Sequence, residues 1–567
     1  MELRNQPSGV STLLLHGEDH MKSNVQRELL FDATESQNPG MCGNSMRGNR
    51  ETPEVPPTDG VGGRSEKAAG CASDMHATGE SDEPIVPEKR ANNANSLAAE
   101  FVEERGSTKR NADQEASPRT QGRTMRESIG LEGVRLAARR DPRARMNALL
   151  HHVTPDLLRR SFYELKRTAA PGVDGVTWHD YERDLRAKLT DLHDRVHRGS
   201  YRATPSRRTW IPKGDGRQRP LGVASLEDKI VQQAIRTILE QIYEEDFLGF
   251  SYGFRPGRSQ HQALDALNVA LESKSINWVL DADIQGFFDA IDHHWMLKFL
   301  EHRIADRRVL RLIHKWLRAG VMEEGVRQRT QVGTPQGAVI SPLLANIYLH
   351  YVLDLWVNQW RKRNARGNVI IVRYADDFVV GFQYREDAER LRRALEQRMT
   401  EFGLTLHPTK TRLLEFGRLA EAHAREPGQK QPETFDFLGF THYCGHTRGG
   451  RFAVKRKSIA KRIRATLQAI RLELRKRMHW PVPKVGAWLR SVVQGWMNYH
   501  AVPFNFEAVR RFREEVARYW LRTLRRRSQK GRRWTWERFA RWREYWLPRP
   551  KILHPYPSQR FAVRHSR

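Results

Sequence analysis

The chain has 567 residues, with 97 Lys and Arg against 67 Asp and Glu, so its formal net charge is +30 at pH 7. Such a basic balance indicates a polyanionic partner, nucleic acid before an anionic membrane surface, because no apolar run approaches the roughly 20 residues that span a bilayer. The three cysteines, Cys42, Cys71 and Cys444, form no Cys-x-x-Cys pair, which argues against a zinc site or a disulfide framework. We therefore expect an intracellular, cytoplasmic protein without a signal peptide or a membrane span.

Residues 1–125 are predicted to be mostly disordered, since they are rich in Gly, Ser, Asn, Pro and Glu and almost lack apolar periodicity. Ordered structure is expected to begin near Leu131. A helix begins at Thr154, the N-cap, with Pro155 at its first helical position. A second helix covers the apolar positions from Leu185 to Val196, which recur at helical spacing.

The stretch 211–223 predicts a β-hairpin with a basic, glycine-containing turn. Lys213 and Arg219 would extend from opposite arms towards one point, and two fixed cations suit a triphosphate. A solvated basic turn explains the same residues without a ligand. A helix from Ser225 to Glu245 follows, with apolar residues along its buried side.

The loop 252–259 interleaves basic and aromatic residues. Backbone charge and base stacking are the two contacts that a single strand of nucleic acid offers, so Arg255 is a candidate for such a contact. A loop that simply packs against the protein is the alternative.

Acidic residues stand at the ends of two apolar stretches. Asp283 follows the strand-like run from Trp278, and Asp376 and Asp377 lie between two β-branched runs that predict a hairpin. Adjacent carboxylates repel each other, and Mg²⁺, which prefers carboxylate oxygen, relieves the repulsion. Phosphoryl transfer by two metal ions needs carboxylates from separate strands, so we take Asp283 and Asp376 as the converging pair. A solvated acidic turn is the alternative.

Residues 333–348 combine a loop containing Gly and Pro with a helix that starts at Ser341 and Pro342. Gln336, a neutral hydrogen-bonding group in that loop, suits the edge of a base or a sugar. A glutamine that only ties down its own loop is the alternative.

Further along, the pattern predicts a helix from Glu386 to Phe402, an apolar strand from Phe435 to Phe440 and a basic helix from Lys455 to Arg477. The apolar stripe of the basic helix is core, and its charged face is a candidate nucleic-acid surface. Arginine clusters then alternate with aromatics, and the arginines are the candidates because aromatics at helical spacing are more often core. The candidate RNA-binding residues are Arg255, Lys455, Arg456, Lys461, Arg525, Arg526 and Arg527.

In their chain order these motifs resemble those of group II intron-encoded proteins, which join a reverse transcriptase to an RNA maturase domain. The resemblance covers roughly Leu131 to the C-terminus. The motifs that carry it are Ala170-Pro171-Gly172-Val173-Asp174-Gly175, Ile211-Pro212-Lys213, Arg219-Pro220-Leu221-Gly222, Gly253-Phe254-Arg255-Pro256-Gly257, Asp283 with Phe288, Thr334-Pro335-Gln336-Gly337, Ser341-Pro342, Tyr374-Ala375-Asp376-Asp377, Phe437-Leu438-Gly439-Phe440 and Gly495-Trp496-Met497-Asn498-Tyr499.

The resemblance implies an α+β fold: a right-hand polymerase with palm and fingers over residues 126–445, then an α-helical thumb or maturase domain with a basic tail over 450–567. It also implies that Asp283 and Asp376 ligate two Mg²⁺ ions, with Asp377 and the backbone carbonyl of Ile284 at the same metal site. Because neighbouring residues of a strand face opposite sides, we expect a weaker role for Asp377. The residues implied at the nucleotide are the triphosphate clamp of Lys213 and Arg219, the steric gate Phe288, Gln336 beside the incoming nucleotide and Lys410 near the triphosphate.

The predicted function is RNA-directed DNA synthesis from dNTPs, with an intron RNA template and a DNA primer or target, together with binding of the intron RNA to assist its splicing and mobility. Two alternatives are an RNA-binding splicing maturase with a vestigial polymerase site, and a retron- or defence-type reverse transcriptase. The intact acidic residues and Phe288 argue against the first alternative, and the stretch 495–499 argues against the second. The sequence does not choose between a monomer and a dimer.

Overall fold

The computed structural model describes residues 121–212, 218–323, 326–328, 332–334, 336–426, 428 and 431–564. Within them the chain forms a mixed α+β structure, as the sequence predicts, with strands in three sheets and helices before, between and after them. The strands are β1 Ser206–Pro212, β2 Gln218–Val223, β3 Trp278–Asp283, β4 Val321–Glu323, β5 Val326–Gln328, β6 Val369–Tyr374, β7 Asp377–Phe382, β8 Arg412–Glu415, β9 Phe435–Phe437, β10 Phe440–His446 and β11 Phe452–Ser458.

The helices fall into two groups, one interleaved with the strands and one that follows them. The first group is α1 Gln121–Arg140, α2 Pro155–Glu164, α3 Trp178–Glu182, α4 Leu185–Arg198, α5 Leu226–Asp246, α6 Gln260–Ser273, α7 Phe287–Ala290, α8 His293–Glu301, α9 Arg307–Arg318, α10 Ser341–Leu349, α11 Leu355–Arg363, α12 Arg385–Glu401 and α13 Arg418–His423. The second group is α14 Ala460–Lys476, α15 Val482–His500, α16 Phe506–Arg526, α17 Trp536–Trp546 and α18 Pro557–Arg564. Short 3₁₀ turns cover Leu150–His152 and Gln529–Arg533, and a π-helical turn at His350–Asp354 joins α10 to α11.

A four-stranded antiparallel sheet in the order β6-β7-β3-β8 lies between two hydrophobic cores. Successive side chains of a strand point to opposite faces, so each strand contributes to both cores. Leu280 and Val380 pack in a core with the N-terminal helices, whereas Val279 and Val379 pack in a second core with α6 and β10. Burial on both faces explains why these strands read as continuous apolar runs in the sequence.

Two further sheets, of four and three strands, have the orders β2-β1-β4-β5 and β11-β10-β9. A third hydrophobic core, separate from the other two, is formed by α14 to α17 with residues such as Leu489 and Trp520. No helix of the described residues has the length and the apolar character that crossing a membrane requires.

Most of the predicted elements are confirmed. The hairpins β1–β2 and β6–β7 form where the turn motifs predict them, and α5 covers almost the whole predicted range from Ser225 to Glu245. Thr154 caps α2, because its side-chain oxygen accepts a hydrogen bond of 3.1 Å from the backbone N–H of Leu157. Local capping and period-2 signals were therefore sufficient for these elements.

Two predicted elements are wrong in the structure. The basic helix predicted from Lys455 starts only at Ala460, because residues 452–458 form β11, which pairs with β10. The helical group therefore begins at residue 460, and the predicted boundary near 450 falls between two paired strands. The single strand predicted from Phe435 to Phe440 is divided into β9 and β10 by Leu438 and Gly439, which both have positive φ.

The predicted disordered segment lies almost wholly outside the described residues. Only its end is described, and there α1 begins at Gln121, within the predicted range 1–125.

Asp306 joins the segment before α2 to the start of α9. Its buried carboxylate accepts hydrogen bonds from the backbone N–H groups of Leu149 and Leu150, at 2.9 and 3.0 Å, and from that of Arg308 at 3.0 Å. Burial alone would raise the pKa of Asp306, but the hydrogen bonds to its charged form outweigh burial and hold the pKa at about 2.

Replacing Asp306 with asparagine is expected to lower the free energy of unfolding by about 2 kcal/mol at pH 7, since the unfolded carboxyl has a pKa of about 3.9. The folded-state pKa is the lower one, so this stabilisation is complete above the unfolded value and is lost as the pH falls towards 2. Denaturant unfolding of both proteins at pH 7 and at pH 3 measures the difference, which should shrink at pH 3. The exposed Asp191→Asn serves as control. A difference that is equal at both pH values would contradict the electrostatic origin.

The last described helix, α18, packs against α6. Arg560 Nε lies 3.0 Å from Asp265 Oδ2, and Arg456 of β11 contacts the other oxygen of the same carboxylate at 3.4 Å. His554 stacks on His261 with ring centroids 3.9 Å apart. The segment after α17 thus connects the C-terminal helices back to the part of the chain that contains the sheets.

Candidate active site

The register of the central sheet brings two carboxylates opposite each other. β3 and β7 pair antiparallel, and Asp283 is the register partner of Asp377. Directly opposed residues of an antiparallel pair extend to the same face. Asp376 lies in the turn between β6 and β7, next to Ala375, whose φ of 59° is left-handed. Three carboxylates therefore meet at one end of the sheet.

The weaker role that we expect for Asp377 at the metal site stays a prediction. It rests on the alternation of side chains along one strand, but Asp376 belongs to the turn and not to β7. The pairing across the ladder decides the direction instead, and it places Asp377 on the same face as Asp283.

The carboxylates of this site repel one another. Loss of solvent and the neighbouring charges of Asp376, Asp283 and Asp281 raise the pKa of Asp377 to about 7. Loss of solvent and the charge of Asp283 also raise the pKa of Asp376. Bound divalent cations relieve repulsion of this kind, because they favour the charged form of each carboxylate.

Lys410 contacts the acidic cluster from the segment that precedes β8. Its Nζ lies 2.5 Å from Asp283 Oδ2, and half of its side chain is exposed. The backbone N–H of His407 donates to the carbonyl of Asp283 at 2.8 Å, and a β-bridge joins Ile284 to Leu406. The structure thus places the predicted nucleotide ligand Lys410 and the predicted carbonyl ligand Ile284 beside Asp283.

A second group of predicted residues meets between β2 and the loop before α10. Arg219 Nε donates to Gln336 Oε1 at 2.7 Å, and Gln336 Nε2 lies 3.4 Å from Asp289 Oδ2. The neighbouring Phe288 is half-buried, and its carbonyl accepts from the backbone N–H of Thr334 at 2.8 Å. Arg219, Gln336 and Phe288 are therefore brought together as predicted. The other predicted clamp residue, Lys213, lies outside the described residues.

A buried arginine, Arg373, forms a hydrogen bond to the turn that carries Asp376. Arg373 is fully buried, as is its partner Asp354. Each of its five N–H groups has an acceptor, so its hydrogen-bonding capacity is complete. The acceptors are Asp354 Oδ1 and Oδ2 at 2.7 and 2.6 Å, Ser251 Oγ at 2.7 Å, Asn346 Oδ1 at 3.0 Å and the carbonyl of Ala375 at 2.9 Å.

Gly253 lets a neighbouring loop approach the same turn. A methyl group at Gly253 would overlap the backbone nitrogen of Ala375, so no larger residue fits without moving the turn. The amide of Asn346 donates to the carbonyl of Gly253 at 2.7 Å and so connects this loop to Arg373. The strained Ala375 is thus fixed from two sides.

Two candidate RNA-binding residues are buried and do not face solvent. Arg255 donates to both oxygens of Glu244 and to two backbone carbonyls, with only 2% of its side chain exposed. Arg456 is equally buried and pairs with Asp265. Both arginines therefore hold the protein together, which corrects the prediction that they contact nucleic acid. A buried arginine is not distinguished from an exposed one by local sequence.

The remaining candidates have accessible side chains. Lys461 and Arg526 are exposed, and Lys455 is half-buried with its Nζ 5.5 Å from the ring of Phe504. The exposed Arg525 donates to the carbonyl of Trp534 at 2.7 Å, and the half-buried Arg527 donates to that of His479 at 3.2 Å. Their predicted contact with RNA stays a prediction.

The sequence reading missed Arg373, Asp354, Asn346 and Asp281. Only a charged residue within an otherwise apolar strand marks Arg373 in the sequence, whereas its partners are 19 and 27 positions away. Asp281 precedes Asp283 by two positions and lies on the same face of β3. Loss of solvent raises its pKa to about 6, with Arg412 opposing at 3.6 Å.

The donor set fits magnesium that is shared with a substrate. Within the described residues, no group of three or more His, Cys, Asp or Glu side chains forms a closed metal site. Mg²⁺ commonly takes one or two carboxylates from the protein and completes its coordination with water and substrate phosphates. The opposed Asp283 and Asp377 and the neighbouring Asp376, with their raised pKa values, match that requirement.

Comparison with protein families gives one match, to the family described as reverse transcriptase (RNA-dependent DNA polymerase), over residues 211–442. This stretch contains the acidic cluster of Asp283, Asp376 and Asp377. It also contains Arg219 and Gln336, which meet between β2 and the loop before α10.

Curated proteins show the same relationship. Protein YkfC of Escherichia coli (strain K12) is 37% identical over 273 residues, covering 42% of this chain and 71% of that protein. Group II intron-encoded protein LtrA of Lactococcus lactis subsp. cremoris is 37% identical over 210 residues, covering 37% of this chain and 35% of that protein. The uncharacterized 91 kDa protein in cob intron of Schizosaccharomyces pombe is 27% identical over 423 residues, covering 62% and 50%. The chain thus spans half or less of two of these three relatives.

Proposed function

The chain belongs to the family of group II intron-encoded proteins with reverse transcriptase and maturase character, and from that premise we propose that it is an RNA-directed DNA polymerase that also binds its intron RNA. The single observation that carries this proposal is the meeting of Asp283, Asp376 and Asp377 at one end of the central sheet. Its substrates are dNTPs, an RNA template and a DNA primer or target.

In this proposal the three sheets and the helices among them are the palm and fingers of a right-hand polymerase. The central sheet with its acidic end is the palm, and β1–β2 with the preceding helices is the fingers. The helices from Ala460 onwards, with their own core, are the thumb or maturase domain. Their exposed basic residues, including Lys461 and Arg526, bind the intron RNA and so assist its splicing and mobility.

The carboxylates of Asp283, Asp376 and Asp377, with the carbonyl of Ile284, would hold two Mg²⁺ ions. When bound, these ions supply the charge that activates the primer hydroxyl and stabilises the leaving pyrophosphate. Arg219 and Lys213 bind the triphosphate. Lys410 pairs with Asp283 in the free protein and is available to a phosphate oxygen when a cation takes its place.

Gln336 and Phe288 position the nucleotide. The amide of Gln336 is oriented by Arg219 and Asp289, so it presents a fixed hydrogen-bonding edge to a base or sugar. Phe288, the residue before Asp289, would exclude a ribose 2′-hydroxyl and so act as the gate against ribonucleotides.

Primer extension tests the proposal. The purified full chain is given a DNA primer on an RNA template with dNTPs and Mg²⁺, and DNA products are expected. Removing Mg²⁺ with a chelator should abolish them, and adding it back should restore them. Intron RNA binding without any DNA synthesis would contradict the polymerase and would instead support a maturase with a vestigial site.

Replacing Phe288 with alanine is expected to lower the preference for dNTPs over rNTPs by about 10- to 200-fold, the range that one steric contact of this size gives. The ratio of kcat/KM for dGTP to that for rGTP measures the effect. Phe288→Tyr keeps the bulk of the ring and should keep the preference. An unchanged ratio in the alanine variant, with dGTP still incorporated, would show that another residue is the gate.

A further inference from the structure

A cleft of about 570 Å³ lies on the C-terminal helices, far along the chain from the acidic site. It is formed by the 3₁₀ turn Gln529–Arg533 and one face of α17. The lining residues are Lys530, Arg533, Trp534, Glu537, Arg538, Arg541 and Trp542. Four cations and one anion give this cleft a formal charge of +3 from its own side chains.

The cleft has a defined shape because its local structure is fixed. The side chain of Ser528 accepts from the backbone N–H of Gly531 at 3.2 Å, and a methyl group at Gly531 would overlap the carbonyl of Leu524. The turn is therefore pressed against the end of α16. Thr535 caps α17, and Arg525 donates to the carbonyl of Trp534 at 2.7 Å.

The four cations are available to a ligand. Lys530, Arg533, Arg538 and Arg541 are all exposed, and none of them forms an ion pair with an acidic side chain of the described residues. Arg538 Nη1 donates to the carbonyl of Arg533 at 3.3 Å, which joins two residues of the same cleft. Glu537 lines the same cleft and offsets one of the four positive charges. It stands in the first turn of α17, where a negative charge is favoured by the helix dipole.

The two indoles supply a flat surface in the same cleft. Trp534 and Trp542 are perpendicular, at 83°, with ring centroids 6.1 Å apart, and both are only partly buried. Each packs one part against the third core and leaves another part to line the cleft. An aromatic surface beside unpaired cations is the combination that binds the base and the phosphates of a single strand.

We propose that this cleft binds an unpaired nucleotide of single-stranded nucleic acid, with its phosphates on Arg533, Arg538 and Arg541 and its base stacked on Trp534 or Trp542. The volume of about 570 Å³ suits a ligand of the size of one nucleotide. The proposal does not depend on polymerase activity, because the cleft shares no residue with the acidic site. Phosphate and base are common to RNA and DNA, so the experiment compares both.

The test is photocrosslinking in the absence of Mg²⁺ and dNTPs. The full chain is irradiated with eight-nucleotide RNA and DNA strands that carry 5-iodouracil, and the cross-linked peptides are identified by mass spectrometry. Cross-links at Trp534 or Trp542 are expected with one or both strands. The double variant Arg538→Gln/Arg541→Gln should lose these cross-links by about tenfold or more.

The matched control is Arg318→Gln, which removes an exposed cation of α9 that does not line the cleft and has no ion pair within the described residues. It should leave cross-linking unchanged. Trp542→Phe keeps an aromatic ring for the core and should retain part of the yield at Trp534, which separates loss of stacking from loss of folding. A duplex of the same sequence, or polyglutamate, that competes as well as the single strand would overturn the proposal, as would cross-links confined to other peptides.

The failure of this proposal and the failure of the proposed function are distinguishable. Primer extension is measured on the natural chain, whereas cross-linking is measured on the Arg538→Gln/Arg541→Gln variant without Mg²⁺ and dNTPs, so neither result depends on the other. Loss of cross-linking at the tryptophans in the variant supports the cleft, whether or not the natural chain extends a primer. Unchanged cross-linking in that variant would contradict the proposed cleft, with or without DNA synthesis in the primer-extension assay.

Discussion

Asp376→Asn is expected to reduce primer extension by about three orders of magnitude, the largest effect of any single change at the acidic site. The substitution keeps the shape of the side chain but removes the charge that would hold a cation in the turn between β6 and β7. Stabilising transition-state charge in this way is worth several kcal/mol, and about 4 kcal/mol corresponds to about three orders of magnitude in rate. Single-turnover extension with saturating dNTP measures the loss.

The matched control is Asp436→Asn, which removes another strand carboxylate, in β9, that accepts a hydrogen bond from Thr441. It should extend the primer at the rate of the natural protein. Primer–template affinity of Asp376→Asn should change little, so the loss should appear in kcat. An Asp376→Asn protein that extends at the natural rate would remove Asp376 from the metal site and leave the opposed pair Asp283 and Asp377 as the candidates.

Arg373→Met is expected to lower the free energy of unfolding by about 3–5 kcal/mol. Burial raises the pKa of Asp354 even beside the guanidinium, which shows how much the lost solvent costs this carboxylate. Removing Arg373 leaves Asp354 buried without its counter-charge, and it also releases the carbonyl of Ala375 in the turn. Denaturant unfolding in the absence of nucleic acid measures the change.

Two further variants distinguish the effect of the buried charge on stability from the role of Arg373 in positioning the turn. The exposed pair of Arg385 and Glu389 provides the control, and Arg385→Met should cost about 0–1 kcal/mol. The double variant Arg373→Met/Asp354→Leu removes both charges, so it should regain much of the stability. It should not regain full primer extension, since the carbonyl of Ala375 in the turn of Asp376 then lacks the hydrogen bond from Arg373. Full recovery of both properties would contradict a positioning role for Arg373.

Local patterns predicted the hairpins and most helices, because each depends on residues close in the chain. The acidic turn, Gln336 and Arg219 could be found for the same reason, since their motifs are contiguous and occur in a fixed order. The register that opposes Asp283 and Asp377 could not, because it depends on the pairing of two strands about a hundred residues apart. Alternation along one strand, the basis for expecting a weaker role of Asp377, does not describe Asp376 and Asp377, because Asp376 belongs to the turn and not to β7.

The burial of the basic residues also depends on partners that are distant in the sequence. Arg255, Arg456 and Lys461 look alike in the sequence, yet two of them are buried and one is exposed. Their burial is decided by the partners Glu244 and Asp265, and the second of these lies 191 positions from its arginine. The strand at 452–458 was read as helix because a basic run suits the exposed face of either element, and only pairing with β10 distinguishes them.

The packing of α18 on α6 has a consequence for the order in which the chain folds during synthesis. Asp265 leaves the ribosome almost three hundred residues before Arg560, which completes its salt bridges. Until α18 has been synthesised, the face of α6 that it covers is exposed. All four strands of the central sheet have been synthesised by then. We therefore expect a nascent chain to pass through a state in which the central sheet is complete and one face of α6 is exposed.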